Sequence, residues 1–295
     1  MDVQINNSYL TIVTFLKQIL FSIGMVKDLE QQLELISDIK KFCIEGLGMI
    51  PNPSFTKITD QKYYCGLYAC PKDAIKTALP DGQTHHVYDN FTDRNSEASE
   101  LIKKGLDIYK VRWEGVGSED SQITRSLLKA TKIRKTYLII HENVHIHVEK
   151  IGLRKNIILP IEEAIADQVA YQGALIFYKE NKLMQSFTEK RKRHDEEFYA
   201  WCMKYTQNLS EAYEKYPFLG QKILSQAKIE YDEKYRKKNN RKEVNNALFY
   251  RESFYARYQK DVKEILSDKD PKEYLRIISG ANSRIHSMED LRRLF

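Results

Sequence analysis

His141 and His145 stand four residues apart in HENVH (141–145), with Glu142 beside the first of them. If the stretch is helical, residues four apart share a face, and the two imidazoles can meet one metal ion. A glutamate next to the first ligand then reaches the open side of that ion. There it can take a proton from a water, which is the chemistry of metal-assisted hydrolysis. The spacing does not by itself settle the element. In VHIHV (144–148) β-branched residues alternate with histidine, and such residues favour strands. On a strand His141, Asn143, His145 and His147 would share one face, giving a different metal site, suited to an oxidoreductase, or none. On a helix His147 falls opposite His141 and is no ligand.

A catalytic zinc takes three protein ligands and leaves a fourth position open. Downstream, EEAIAD (162–167) places Glu163 and Asp167 four apart on a second expected helix. Glu163 can ligate. Asp167 can accept the remaining ring N–H of a ligand histidine and fix its tautomer. Glu162 stays open as an alternative ligand. Alone, EEAIAD would be an acidic helix start favoured by the helix dipole. HENVH upstream turns the two helices into a coherent Zn2+ box.

HENVH followed by PIEEAIAD resembles the gluzincin class of zinc metallopeptidases. That resemblance implies His141, His145 and Glu163 as zinc ligands, Glu142 as general base and Asp167 as the aspartate behind a ligand histidine. VRWEGVGSEDSQITRSLL, LIIHENVH and the later NNALFYRESFY (245–255) are together similar in layout to a family of predicted bacterial aminopeptidases. In this chain the gap between the two zinc elements is longer, and Glu rather than Asn precedes the ligand glutamate. The layout implies Tyr255 as the donor that stabilises the oxyanion, with Tyr250 and Tyr258 near it in sequence. It also implies Asn245 and Asn246 as contacts to substrate backbone, although both could simply cap a helix. An aminopeptidase must hold an α-ammonium, and Glu114, after the expected strand, is the candidate carboxylate. An edge strand there could align an extended peptide.

These residues must be held by elements the sequence also outlines. Residues 9–26 are the most apolar stretch, but Lys17 and Gln18 interrupt them; an amphipathic or buried helix near 8–23 is expected, with a membrane-associated anchor as the alternative, and not a membrane span or a secretory signal. A second helix is expected near 27–46, ending at Gly46 and Gly48. PNP (51–53) breaks the chain. KYYCGLYAC (62–70), HHVYDNF (85–91) and DIYKVRWEG (107–115) read as strands, and DRNSEASE (93–100) could start a helix. The run 118–150 lacks Gly and Pro and reads as helical. A helix over 161–182 follows Pro160. Long helices are expected from 186 to 277, with breaks near 217–220 and 268–271.

The expected fold class is therefore α+β, predominantly helical, with a small sheet leading into a zincin-like HExxH helix and a helical C-terminal body. The expected layout is an N-terminal helical segment (1–53) and a catalytic region (54–295). The latter holds the sheet (about 54–117), the metal-site helices (about 118–182) and the C-terminal helices (186–295). All are expected to form one compact unit.

The net charge of +6 over 295 residues is mild. The basic runs KRKRH (190–194) and KYRKKNNRK (234–242) read as solvated helix faces, and no nucleic-acid module accompanies them. Four cysteines without ligand spacing suit free thiols in a reducing compartment, so the cytoplasm is expected. The expected partner is a peptide or protein substrate. Two alternatives to a metallopeptidase stand: a non-enzymatic helical interaction protein with an incidental HENVH, and the strand-borne oxidoreductase site. His85 and His86 are expected to be structural or solvent-exposed.

Overall fold

The computed structural model describes residues 25–88, 90–235, 243–267, 269–281 and 284–295. The helix expected near 8–23 and most of the second basic run lie outside them. The chain is predominantly helical α+β, with one small sheet among the described residues. Helix α1 (Met25–Glu45) is followed by strands β1 (Tyr64–Cys70) and β2 (His86–Tyr88), helix α2 (Phe91–Lys103) and strand β3 (Asp107–Trp113). Then come α3 (Arg125–Lys129), α4 (Lys132–Lys150) and α5 (Leu159–Phe177). The body is completed by α6 (Lys182–Lys215), α7 (Pro217–Lys234), α8 (Asn246–Ala256), α9 (Gln259–Leu266), α10 (Pro271–Ser279) and α11 (Met288–Arg292).

The sheet is antiparallel in the order β2-β1-β3, with Tyr68 opposite Tyr109 and Cys65 opposite Tyr88. Side chains alternate across a strand, so β1 serves two cores. Leu67 and Ala69 pack with Ile108 and with Ala98 and Leu101 of α2. Tyr68 and Cys70 face an aromatic cluster built from Phe198, Trp201, Tyr205, Tyr231, Tyr235 and Phe249 on α6, α7 and α8 and the chain between them. The largest core lies elsewhere. There Ile36, Ile39 and Cys43 of α1 meet Ile140 and Val144 of α4, Ile161, Ile165 and Val169 of α5, and Val262, Leu275 and Leu291 of the last helices.

Residues 136–150 are helical, which removes the strand arrangement of His141, Asn143, His145 and His147. The β-branched residues lose to tertiary burial. Ile139, Ile140, Val144 and Ile146 are completely buried, so the helix is enclosed on nearly every side. Thr131 caps its start, its side chain accepting from Arg134 N, and Gly152 (φ +74°) turns the chain away just past its end. Helix α5 can lie close against α4 because its contact face is small. A Cβ on Gly173 would already touch Ile140 and Leu47 at 3.2 Å.

Four expectations on element extent change, the first being that the helix expected over 161–182 ends at Phe177 and the next already begins at Lys182. Residues 118–124 are not helical; Ser121 and Ile123 instead bond to the backbone of 55–59 (Phe55 N to Ser121 O 2.7 Å, Ile123 N to Lys57 O 2.8 Å). Strand β2, expected over 85–91, covers only His86–Tyr88, because Asn90 caps α2 and Phe91 already belongs to that helix. In the C-terminal body a further break falls at Arg257–Tyr258, between α8 and α9.

Candidate metal centre

Helices α4 and α5 together carry the centre. His141 and His145 project from one face of α4, and Glu163 comes from the second turn of α5. The two Nε2 atoms are 3.2 Å apart, and Glu163 Oε2 lies 3.3 Å from that of His141 and 3.5 Å from that of His145. Ligands at 2.0–2.1 Å from a tetrahedral ion stand about 3.3 Å from one another. The triangle therefore has the size of three corners of a zinc tetrahedron. Among the described residues it is the one His/Cys/Asp/Glu group with ligand atoms this close.

The outer nitrogens are held by carboxylates. His145 Nδ1 is 2.6 Å from Glu162 Oε1. His141 Nδ1 lies 3.0 Å from Asp167 Oδ1, an ion-pair contact rather than a well-aligned hydrogen bond. Glu162, left open as a ligand by the sequence, thus serves the histidine behind the metal face. Asp167 lies beside the outer nitrogen of His141 and is itself held twice. Tyr137 OH donates to Oδ1, and Gln259 Nε2 donates to Oδ2 at 2.5 Å. Such outer partners fix the ring orientation and raise ligand basicity.

Charge gives an independent test of fit. Glu142, Glu162, Glu163 and Asp167 are all buried within this space. Four buried carboxylates need compensating positive charge. In the metal-free protein the histidines supply it. Burial pulls the His141 pKa down, but Asp167 and Glu163 outweigh it and hold the imidazole up to about 9. His145 is likewise raised well above the ordinary histidine range, burial being overcome by Glu163 and Glu162. The Glu163 carboxyl, despite burial, is held far below the carboxylate range by His145 and His141. Two neutral histidines and a divalent cation supply the same balance, so donor set, geometry and charge all fit a divalent metal ion.

Glu142 is buried beside the triangle, and burial pushes its carboxyl above the ordinary value against the pull of His141 and His145. On the sheet side, Tyr255 OH and Tyr68 OH are 3.0 Å apart. Burial raises both phenols, Tyr68 to about 12 and Tyr255 well above its usual value, with the Glu163 charge adding to each. Both are therefore protonated donors at neutral pH, in the field of the ligand glutamate. Arg251 lies over the Tyr255 ring (4.8 Å), and His85 stacks on Tyr68 with centroids 5.1 Å apart. No sequence pattern signals His85, Arg251 or Tyr68 in this neighbourhood. They arrive from strand β1, the residue before β2, and α8.

Other sequence candidates have different tasks. Glu114 is tied to Arg134 at 3.0 Å, so its carboxylate is already engaged by a cation and is not free for a substrate ammonium. Asn245 caps α8, accepting from Leu248 N at 3.0 Å and donating to Ile108 O at 2.9 Å. Asn246 is completely buried and bonds to Pro71 O and Tyr213 OH. The two asparagines thus fasten α8 to the sheet. His147 points away from the centre, accepting from Ile50 N at 3.2 Å and lying 3.0 Å from Ser279 Oγ.

Gly117 is required by contact. An added Cβ would stand 2.6 Å from the His145 Cβ, the stiffest part of that side chain. Gly117→Ala is expected to displace His145 and to weaken any metal binding at this triangle about 10–100-fold, the range for losing a group that orients a ligand. Competition against a chromophoric chelator measures this, and an unchanged affinity would show that the loop yields instead.

No described helix is long and apolar enough to cross a membrane. Comparison with known proteins finds no family model, curated protein or solved structure that matches this chain.

Proposed function

We propose that this protein is a zinc metallopeptidase of gluzincin type, hydrolysing peptide bonds with Glu142 as general base. The observation that carries the reading is the triangle of His141, His145 and Glu163, with both outer nitrogens held by carboxylates and a buried glutamate beside it. A zinc ion held by those three residues supplies Lewis acidity toward the scissile carbonyl and the attacking water. Glu142 accepts a proton from that water as it attacks. It returns the proton to the leaving amine as the C–N bond breaks. Its raised carboxyl pKa brings it nearer the working pH, which suits a group that must both take and give a proton. Tyr255, with Tyr68 bonded to it, donates to the oxyanion.

Because Glu114 is bound to Arg134, the proposal is peptide hydrolysis without commitment to free N-termini. All four cysteines are buried and none forms a disulfide, which suits a reducing compartment such as the cytoplasm. Metal content tests the reading first. Untagged protein purified without added metal should carry about one zinc per chain by mass spectrometry and should cleave members of a mixed peptide library. Protein that binds no zinc when it is offered at neutral pH would remove the proposal.

A further inference from the structure

We propose that His86 is a proton-operated clamp which positions His85 beside the metal centre. Charged, His86 bridges Asp81 and Glu97 and holds the turn before β2 in the place that lays His85 on Tyr68. Neutral, it lets that turn go. The inference goes beyond the metallopeptidase reading and does not depend on which reaction the centre performs.

Both ring nitrogens of His86 face a carboxylate. Nδ1 is 2.9 Å from Glu97 Oε1, and Nε2 is 3.0 Å from Asp81 Oδ2. An ionised carboxylate only accepts hydrogen bonds, and a neutral imidazole has one N–H and one bare nitrogen. A neutral ring can therefore serve one of the two and turns a lone pair toward the other. Both bonds at once require the imidazolium. Tyr88, on the same strand, donates its hydroxyl to Glu97 Oε2 at 2.6 Å and stands 3.5 Å from His86 Nδ1, the longer of the two contacts. On α2, Asp93, Glu100 and Lys104 border the hollow beside Glu97 and Pro80. From β1 only the uncharged Leu67 stands opposite His86. Burial draws the His86 pKa down, but Asp81 and Glu97 outweigh it and hold the ring above the ordinary histidine range. The clamp is then closed at neutral pH and opens as pH rises through that raised value. His85, lowered by burial and by Arg251, is already neutral in that window.

Strand geometry turns the clamp into a positioning device. Neighbouring side chains point to opposite faces of a sheet. His86 faces Glu97 on α2, so His85 faces the other way, where it stacks on Tyr68 and meets Trp113 edge-on with centroids 5.8 Å apart. Tyr68 in turn bonds to Tyr255, and the Glu163 charge reaches His85 and both phenols. Asp81 belongs to the turn itself, because its second carboxylate oxygen accepts from Gln83 N at 3.1 Å. The chain of contacts thus runs from α2 through Glu97, His86 and Asp81 to the turn that ends at His85.

None of the clamp residues belongs to the ligand triangle, so the test needs neither turnover nor zinc, and the clamp and the metallopeptidase reading can fail separately. Hydrogen exchange of residues 81–86 in the full chain, read by mass spectrometry as protection relative to the intrinsic rate at each pH, follows the turn from pH 6 to pH 9. Protection should fall roughly 3–10-fold, as loss of one hydrogen bond gives. The fall should share its midpoint with the titration of the His86 ring and with a shift of the Trp113 indole resonance, both read by NMR. His86→Gln, whose single amide cannot reach both carboxylates, should show low protection at every pH. Glu97→Gln separates a proton clamp from simple packing. Its amide can donate to the bare nitrogen of a neutral ring while the other nitrogen donates to Asp81. Protection in this variant should therefore stay high and lose its pH dependence. Wild-type protection that is constant from pH 6 to pH 9, or the same fall in Glu97→Gln, overturns the clamp.

Discussion

Glu142→Gln is expected to keep its zinc and to lose roughly 10²–10⁴-fold in kcat, the contribution of a positioned general base. Glutamine has nearly the same shape, and Glu142 is not a corner of the ligand triangle. Metal content should therefore stay at about one per chain. The variant also removes one of the four buried carboxylates around the centre, so its metal-free form should not be less stable. The loss should fall on kcat rather than KM, because the glutamate acts on the water and not on the substrate's side chains. Full activity with zinc bound would dismiss Glu142 as the base. Loss of zinc together with activity would instead mark it as part of the metal's own support.

Chelation should have the second large effect. With free zinc at 1,000 times its Kd, binding adds about 4 kcal/mol to the folded state, on the order of 8 °C in Tm for a chain of this size. Adding EDTA should remove that increment in the wild type and change nothing in His145→Ala, which lacks a ligand. The effect should depend on pH in a defined direction. His141 has a raised pKa of about 9 in the metal-free fold. Its protonated form therefore stabilises that fold fully below its unfolded value of about 6.5, and this contribution is lost as pH rises through 9. Zinc needs the neutral ring and so competes with that proton. The Tm difference between zinc-loaded and chelated protein should widen from pH 6 toward pH 9, and binding at pH 7 should release protons. A difference independent of pH would mean that the imidazoles are already neutral before the metal arrives.

The parts of the centre that follow a helical repeat were readable from the sequence. His141 and His145 are four apart, as are Glu163 and Asp167, and each pair does share a face. The fold class was readable too, because Tyr- and Val-rich runs with turn signals stand apart from long stretches without Gly or Pro. Contacts that cross elements were not. Gln259 reaches Asp167 across 92 positions, and Tyr68 meets Tyr255 across 187. No local pattern encodes either. Glu162 shows a subtler failure. The residue pattern leaves it open as an alternative ligand, and only the placement of α5 on α4 shows that it faces the back of His145. The VHIHV alternation pointed toward a strand, and burial on all sides decided for a helix.

That enclosure has a consequence for motion. Backbone amides along 138–148 sit in a helix whose side chains are nearly all buried, so they can exchange with deuterated water only when much of the molecule opens. The ligand histidines are thus carried by a slow-exchanging part of the chain. Adjustment to differently shaped substrates then falls to the segments that border the centre without belonging to that helix: the turn before β2 that delivers His85, and the strip 114–124 that lays Gly117 on His145.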